Sequence, residues 1–287
     1  MNQKRKLSME INYKNIQMKN FKNLLLALSL LVACNVNPYK ETNKSYKDQA
    51  KKYAATLKTL PIDSTINDSL KKAPYWVGTT NFNMRKPSYV IIHHTAQNST
   101  EQTLKTFTLT RTQVSAHYVI GKDGVVYQML NDYLRSWHAG NSRWGSQLDM
   151  NSASIGIELD NDGYNYFDSL QINSLIIVLA KLKKEYNIPT ANFIGHGDIA
   201  PTRKNDPNWR FPWRLLSEKG FGLWYDDIRD TIPTGFNNIT ALRIIGFDIK
   251  DTTAAIVAFK RHFLQDTTRG MTPYSTEILY NLHKKYY

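Results

Sequence analysis

The 287-residue sequence contains one cysteine, Cys34, so no intramolecular disulfide can support the fold in any redox compartment. It has no internal repeat and no low-complexity tract, which excludes a repeat architecture. Long apolar runs are missing too: the N-terminal stretch Leu24-Leu25-Leu26-Ala27-Leu28-Ser29-Leu30-Leu31-Val32-Ala33 is too short for a comfortable membrane span. Acidic residues are scarce, 24 against 37 Lys and Arg, for a formal charge of +13. The 41% of hydrophobic residues can bury one full core and a second small one, so one to two domains are expected.

The apolar run follows Lys19 and Lys22 and ends in Leu31-Val32-Ala33-Cys34. Basic flank, apolar run, small residue and cysteine, in that order, read as a secretory signal over residues 1–34. Its end resembles the lipobox of bacterial lipoproteins, where cleavage before the cysteine leaves it acylated. That implies a lipid anchor at Cys34 and a place in the cell envelope. Met18 lies just ahead of the basic flank and is an alternative start. Residues 1–34 hold six of the 37 basic and one of the 24 acidic residues, leaving 31 against 23, a charge of +8 for the mature chain. A basic surface suits a polyanion, and for an exported protein an anionic cell-wall polymer fits better than nucleic acid.

Residues 35–74 are polar and Lys-, Asn-, Thr-, Ser- and Asp-rich, as suits a tether, with room for a short helix from Tyr46 to Leu60. A folded domain is expected to begin near Tyr75-Trp76 and run to about residue 226. Within it, Tyr89 to His93 reads as a buried strand and Thr100 to Thr110 as a helix with Leu104 and Phe107 inward. His117 to Ile120 and Val125 to Met129 flank Gly121-Lys122-Asp123-Gly124, a hairpin signal. Ser154 to Leu159 is another strand. Ile172, Leu175, Ile176, Leu179 and Leu182 recur at helical spacing behind a cap at Asp168 or Ser169, and Asn192 to Gly195 forms a further strand. Strands and helices interleave, and the hairpin argues against an all-parallel sheet. The expected class is therefore α/β, a mixed β-sheet flanked by helices. Residues 227–287 change to helices only, Ile239 to Ile245, Thr252 to Phe263 and one opening at Thr272-Pro273, which make a small three-helix domain.

Chemistry concentrates in two distant segments. Ser88 to Ala96 is a β-branched strand delivering His93 and His94; His196 to Pro207 is a turn-rich loop that ends near Asp206. Neighbouring side chains on a strand point to opposite faces, so only one of His93 and His94 binds a metal shared with His196 and Asp206, and geometry alone leaves the choice open. Two imidazoles and a carboxylate make a three-ligand Zn²⁺ set with a fourth position open, as in catalytic zinc. If Ile155 and Ile157 face a core, Glu158 lies on the opposite face, where a carboxylate can serve as general base. Lys204, two residues before Asp206, brings an ammonium close to a developing oxyanion.

With these residues in view, the segments around His93, Glu158 and His196 to Asp206 resemble the type 2 N-acetylmuramoyl-L-alanine amidases, a family of zinc enzymes. Trp137-His138-Ala139-Gly140, Ser154 to Leu159 and His196 to Lys204 are most similar to its outer-membrane lipoprotein branch. The similarity spans roughly Tyr89 to Trp224, and the last sixty residues resemble a three-helix peptidoglycan-binding module. The resemblance implies zinc on His93 rather than His94, with His196 and Asp206, a general base at Glu158 and an oxyanion lysine at Lys204. It implies hydrolysis of the amide between N-acetylmuramic acid and L-alanine in peptidoglycan or muropeptides, by a protein lipid-anchored at the outer membrane. Ala116 stands where some members have a tyrosine, so no tyrosine role transfers. Trp137, His138 and Asn141 are candidates for the substrate groove. Two alternatives remain: a non-catalytic peptidoglycan recognition protein, which a missing ligand would favour and none is missing, and a zinc peptidase acting within the stem peptide.

Overall fold

The computed structural model describes residues 37–58, 78–81, 83–227 and 230–287. The expected signal, Cys34 and the expected domain start at Tyr75-Trp76 lie outside the described residues. The chain divides into two compact units, residues 1–79 and 80–287. In the first, helix α1 (Lys40–Leu57) starts earlier and ends sooner than the Tyr46 to Leu60 estimate and buries no residue. Among the described residues no helix is long and apolar enough to cross a membrane.

The second unit is built on five strands: β1 (Tyr89–His94), β2 (Tyr118–Ile120), β3 (Val126–Gln128), β4 (Ser154–Leu159) and β5 (Phe193–Gly195). Their order is β3-β2-β4-β1-β5. The β2–β3 hairpin is antiparallel and every other pairing is parallel, so the sheet is mixed, as expected. The central strands β1 and β4 are apolar through most of their length because both sheet faces are covered.

Alternation decides which residue serves which face. Val90 and Ile92 of β1 and Ile155, Ile157 and Leu159 of β4 join the main core. Helix α4 (Ser169–Tyr186) covers it with Ile172, Leu175, Leu179 and Leu182, while Ile176 is only partly buried. Asp168 occupies the N-cap of α4 but makes no side-chain cap bond, unlike Ser99 of α2 (Thr100–Thr108), which accepts from the Gln102 N–H. In α2 Leu104 is buried and Phe107 only half-buried. On the other sheet face Ile91 and Ile194 pack with Ala139, Ile199 and Met150 of the short α3 (Met150–Ala153).

Beyond β5 come two short helices, α5 (His196–Ile199) and α6 (Trp213–Glu218), then α7 (Asn238–Ile245), α8 (Thr252–Leu264) and α9 (Pro273–Tyr286). The last three are capped by Asn237, Asp251 and Thr272, each accepting from a backbone N–H three residues on, and Pro273 takes the first helical position of α9. They share their own apolar cluster, including Leu242, Phe259, Phe263 and Leu279.

The side chain of Leu175 is fully buried whereas Ile177, two residues on, is 70% exposed. Leu175→Ala is expected to cost about 2–5 kcal/mol, and Ile177→Ala less than about 0.5 kcal/mol. Denaturant unfolding of the two variants checks this; equal losses would mean that α4 does not seal the core.

Candidate active site

β1 and β4 pair in a register that sets His93 beside Glu158. Paired neighbours share a face, so both side chains leave the sheet on the side of Ile91, opposite the main core. His196 is the first residue beyond β5, on the far side of β1 from Glu158. Its segment opens as one helical turn rather than as a loop throughout, because the Asp198 carboxylate accepts the Gly195 N–H at 2.8 Å and closes that turn. The chain then returns to Asp206, and the Gly197 N–H donates to the Asp206 carbonyl at 2.6 Å. This cross-tie fixes the backbones of His196 and Asp206 relative to each other.

His93, His196 and Asp206 are buried, and one atom of each meets the other two. His93 Nδ1 lies 2.9 Å from His196 Nδ1 and 3.0 Å from Asp206 Oδ2, and His196 Nδ1 lies 3.0 Å from the same oxygen. The hydrogen-bond network assigns the tautomers. His196 Nε2 faces the Ala139 carbonyl at 3.1 Å, which can only accept, so in the neutral ring Nε2 carries the proton and Nδ1 is a bare lone pair. For His93 the reasoning runs through three residues. Ser154 Oγ–H donates to the Met150 carbonyl, so Ser154 accepts from His138 Nε2–H at 3.1 Å. His138 Nδ1 then accepts from His93 Nε2–H at 2.9 Å, which leaves His93 Nδ1 bare as well. Burial pushes the His93 pKa down to about 4, which keeps that ring neutral.

Three electron-pair donors therefore converge with no proton among them. This repels itself unless a cation sits in the middle, and the three residues fit a divalent metal. Glu158 presents Oε1 at 3.9 Å from His93 Nδ1, and its Oε2 is buried without a hydrogen-bond partner. Burial, and after it the charge of Asp206, pushes the Glu158 pKa up to about 8; the ammonium of Lys204 works in the opposite direction. Such a carboxyl can take and return a proton near neutrality.

A cleft of about 380 Å³ opens beside His196, lined in part by Arg135, Trp137, His138, Arg203 and Lys204. Trp137 stands half-exposed in its wall. His138 is 8% exposed and works mainly from behind, as the partner of His93. Its ring crosses Gly156 so closely that a Cβ there would come within 2.4 Å of it. Asn141 contributes a carbonyl that holds the Arg203 guanidinium at 2.9 Å. His94 points to the other face, where Nδ1 accepts the Asn208 N–H at 3.0 Å and steadies the chain just beyond Asp206. The supporting roles of His138, Asp198 and Asn208 were not read from the sequence; Trp137-His138-Ala139-Gly140 was the nearest signal.

Fold and site together define an α/β enzyme domain with three converging donors that fit a metal, and a buried carboxyl beside them, at the carboxyl ends of its parallel strands. Residues 83–209 match the N-acetylmuramoyl-L-alanine amidase family model. AmiD of Escherichia coli is 30% identical over 223 residues, covering 66% of this chain and 79% of AmiD. The 1,6-anhydro-N-acetylmuramyl-L-alanine amidase AmpD of Escherichia coli is 38% identical over 110 residues, covering 37% of this chain and 60% of AmpD. The solved complex of AmiD with the substrate anhydro-N-acetylmuramic acid-L-Ala-D-gamma-Glu-L-Lys aligns with a TM-score of 0.65 at 28% identity, covering 76% of this chain and 97% of AmiD. AMPDH3 of Pseudomonas aeruginosa aligns with a TM-score of 0.65 at 26% identity, covering 79% and 99%. The chain belongs to the N-acetylmuramoyl-L-alanine amidase family.

Single replacement of His93, His196 or Asp206 by Ala is expected to abolish binding of a divalent metal. His94→Ala should keep full metal content while losing about 1 kcal/mol of stability with its buried hydrogen bond. Metal analysis of the purified variants separates these cases; metal loss in His94→Ala alone would reverse the assignment.

Proposed function

We propose that this enzyme hydrolyses the amide between the lactyl group of N-acetylmuramic acid and the L-alanine of the stem peptide, as a zinc enzyme acting on peptidoglycan or its soluble fragments. The observation that carries the reading is the lone-pair triangle of His93, His196 and Asp206 with Glu158 in register beside it. Donors of this kind fit zinc: N and O ligands at about 2.0–2.2 Å from one tetrahedral ion stand roughly 3.3 Å apart, a few tenths of an ångström beyond the present separations. Bound there, zinc would supply Lewis-acid polarisation of the scissile carbonyl and would lower the pKa of water towards ~7.

The remaining work falls to the protein's own groups. Glu158 takes a proton from the attacking water as the new C–O bond forms. It delivers that proton to the amine nitrogen as the C–N bond breaks, which leaves a carboxylic acid and a free L-alanine amine. Lys204, on the cleft wall beside His196, brings its ammonium to the oxygen on which negative charge develops. Arg135 and Arg203 line the same cleft and suit the free carboxylates of a γ-linked stem peptide such as the one bound by AmiD.

Glu158→Gln should retain zinc but lose about 10²–10⁴-fold in turnover, because the amide cannot accept a proton. Mass spectrometry of muropeptide digests should show separated N-acetylmuramic acid and intact stem peptides. Cuts between stem-peptide residues would replace the amidase reading with a peptidase one, and peptidoglycan binding without any cut would make this a recognition protein.

For the N-terminal part, basic flank, apolar run and Cys34 support a lipid anchor, and the resemblance to the family's outer-membrane lipoprotein branch favours the outer membrane as its place. Labelled fatty acid should be incorporated by the native chain and not by Cys34→Ser; equal labelling, or none in the native chain, would remove the anchor.

A further inference from the structure

Residues from about Thr231 onward contribute none of the groups proposed for the reaction, yet α8 does not stop at the edge of the helical cluster. Two of its consecutive residues, Arg261 and His262, are 6% and 4% exposed and are buried against the segment that carries His196. His262 Nδ1–H donates to Asp198 Oδ2 at 2.7 Å, the same oxygen that accepts the Gly195 N–H and closes the turn of α5. Its ring stacks on Trp213 at 3.9 Å with an interplanar angle of 10°, which ties α8 to α6 as well. Arg261 packs closely against Gly197: a Cβ at that glycine would fall 2.1 Å from Arg261 Nη2 and 3.1 Å from the Lys204 carbonyl. Only glycine admits this approach, and Gly197 is the residue whose N–H cross-ties to the Asp206 carbonyl.

The two side chains therefore bear on the short backbone path that separates two of the three metal donors. We propose that the C-terminal helical unit is a built part of the metal centre, with His262 and Arg261 as positioning residues that hold the Gly195–Asp198 turn and its cross-tie to Asp206. His262 sets the Asp198 carboxylate, Asp198 sets the start of the turn, and the turn aims His196 Nδ1. Arg261 fills the space under Gly197, so that the turn cannot relax away from Asp206. Groups that orient metal ligands in this way typically carry about 10–100-fold in metal affinity.

The inference rests on the zinc reading of the site and is tested apart from activity. Full-length native protein, His262→Ala, His262→Asn and Leu279→Ala are titrated with zinc against a chelator, and their cobalt(II) forms are compared by visible absorption. Asn restores a donor near the position of imidazole Nδ1. Leu279, fully buried in the helical cluster, reports general loosening of that unit away from the metal loop. Zinc affinity should fall about tenfold or more in His262→Ala with a changed cobalt spectrum, return to within a few-fold of native in His262→Asn, and hold in Leu279→Ala despite its lower melting temperature. Unchanged affinity and spectrum in a folded His262→Ala would overturn the proposal, as would an equal loss in Leu279→Ala. If His262→Ala does not fold, His262→Gln, which keeps bulk but moves the donor away from the Nδ1 position, takes its place: zinc affinity about tenfold or more below that of His262→Asn is expected, and equal affinities overturn the proposal. Failure of the native protein to bind zinc would instead strike the reading of the site itself.

Discussion

Mutual repulsion among three unprotonated donors about 3 Å apart is the constraint that the rest of this molecule is arranged to withstand. In water such groups would turn away or take up protons. Here each is prevented from doing so by something specific. His93 is held from behind by His138 and Ser154, His196 by the Ala139 carbonyl, and Asp206 through the backbone bond to Gly197 and the nearby His94–Asn208 contact. The apolar sheet beneath supplies the rigidity, since Ile91 and Ile194 lie directly under the site in a dry core. Preorganisation of this kind moves the cost of assembling charge from the moment of reaction to the moment of folding.

The same arrangement explains the state of Glu158. A carboxyl on the interior face of a sheet, near a second carboxylate and lacking a donor for one of its oxygens, has its pKa pushed up, which makes its ionised form a stronger base than an ordinary carboxylate. Its neighbour Lys204 limits that rise rather than cancelling it. The two groups sit on different elements, a strand and a returning loop, so their balance depends on the cross-tie that fixes the loop.

Much of this was legible in the residues because it is local. The β-branched run before His93, the alternation that puts Glu158 opposite Ile155 and Ile157, the helical spacing in α4 and the Thr272-Pro273 start of α9 are patterns of near neighbours, and all appear in the structure. What could not be read depends on partners far along the chain. Strand geometry says that His93 and His94 diverge, but only the pairing of β1 with β4 and β5 says which of them faces His196. His138 meets His93 across 45 residues, and His262 meets Asp198 across 64. The missing cap at Asp168 shows the same limit in reverse: the residue type suits the position, but the side chain makes no bond there.

The doubled letters of β1 carry a hazard that its surroundings remove. In Tyr-Val-Ile-Ile-His-His a slip by one residue would put His94 where His93 stands and Ile92 where Ile91 stands, so the face that carries the site would not register the error. The opposite face would: His93 would replace Ile92 in the main core, and Thr95 would replace His94, so that the Asn208 N–H would lose its imidazole acceptor. The main core thus acts as the proofreader of strand alignment for a site on the other side of the sheet.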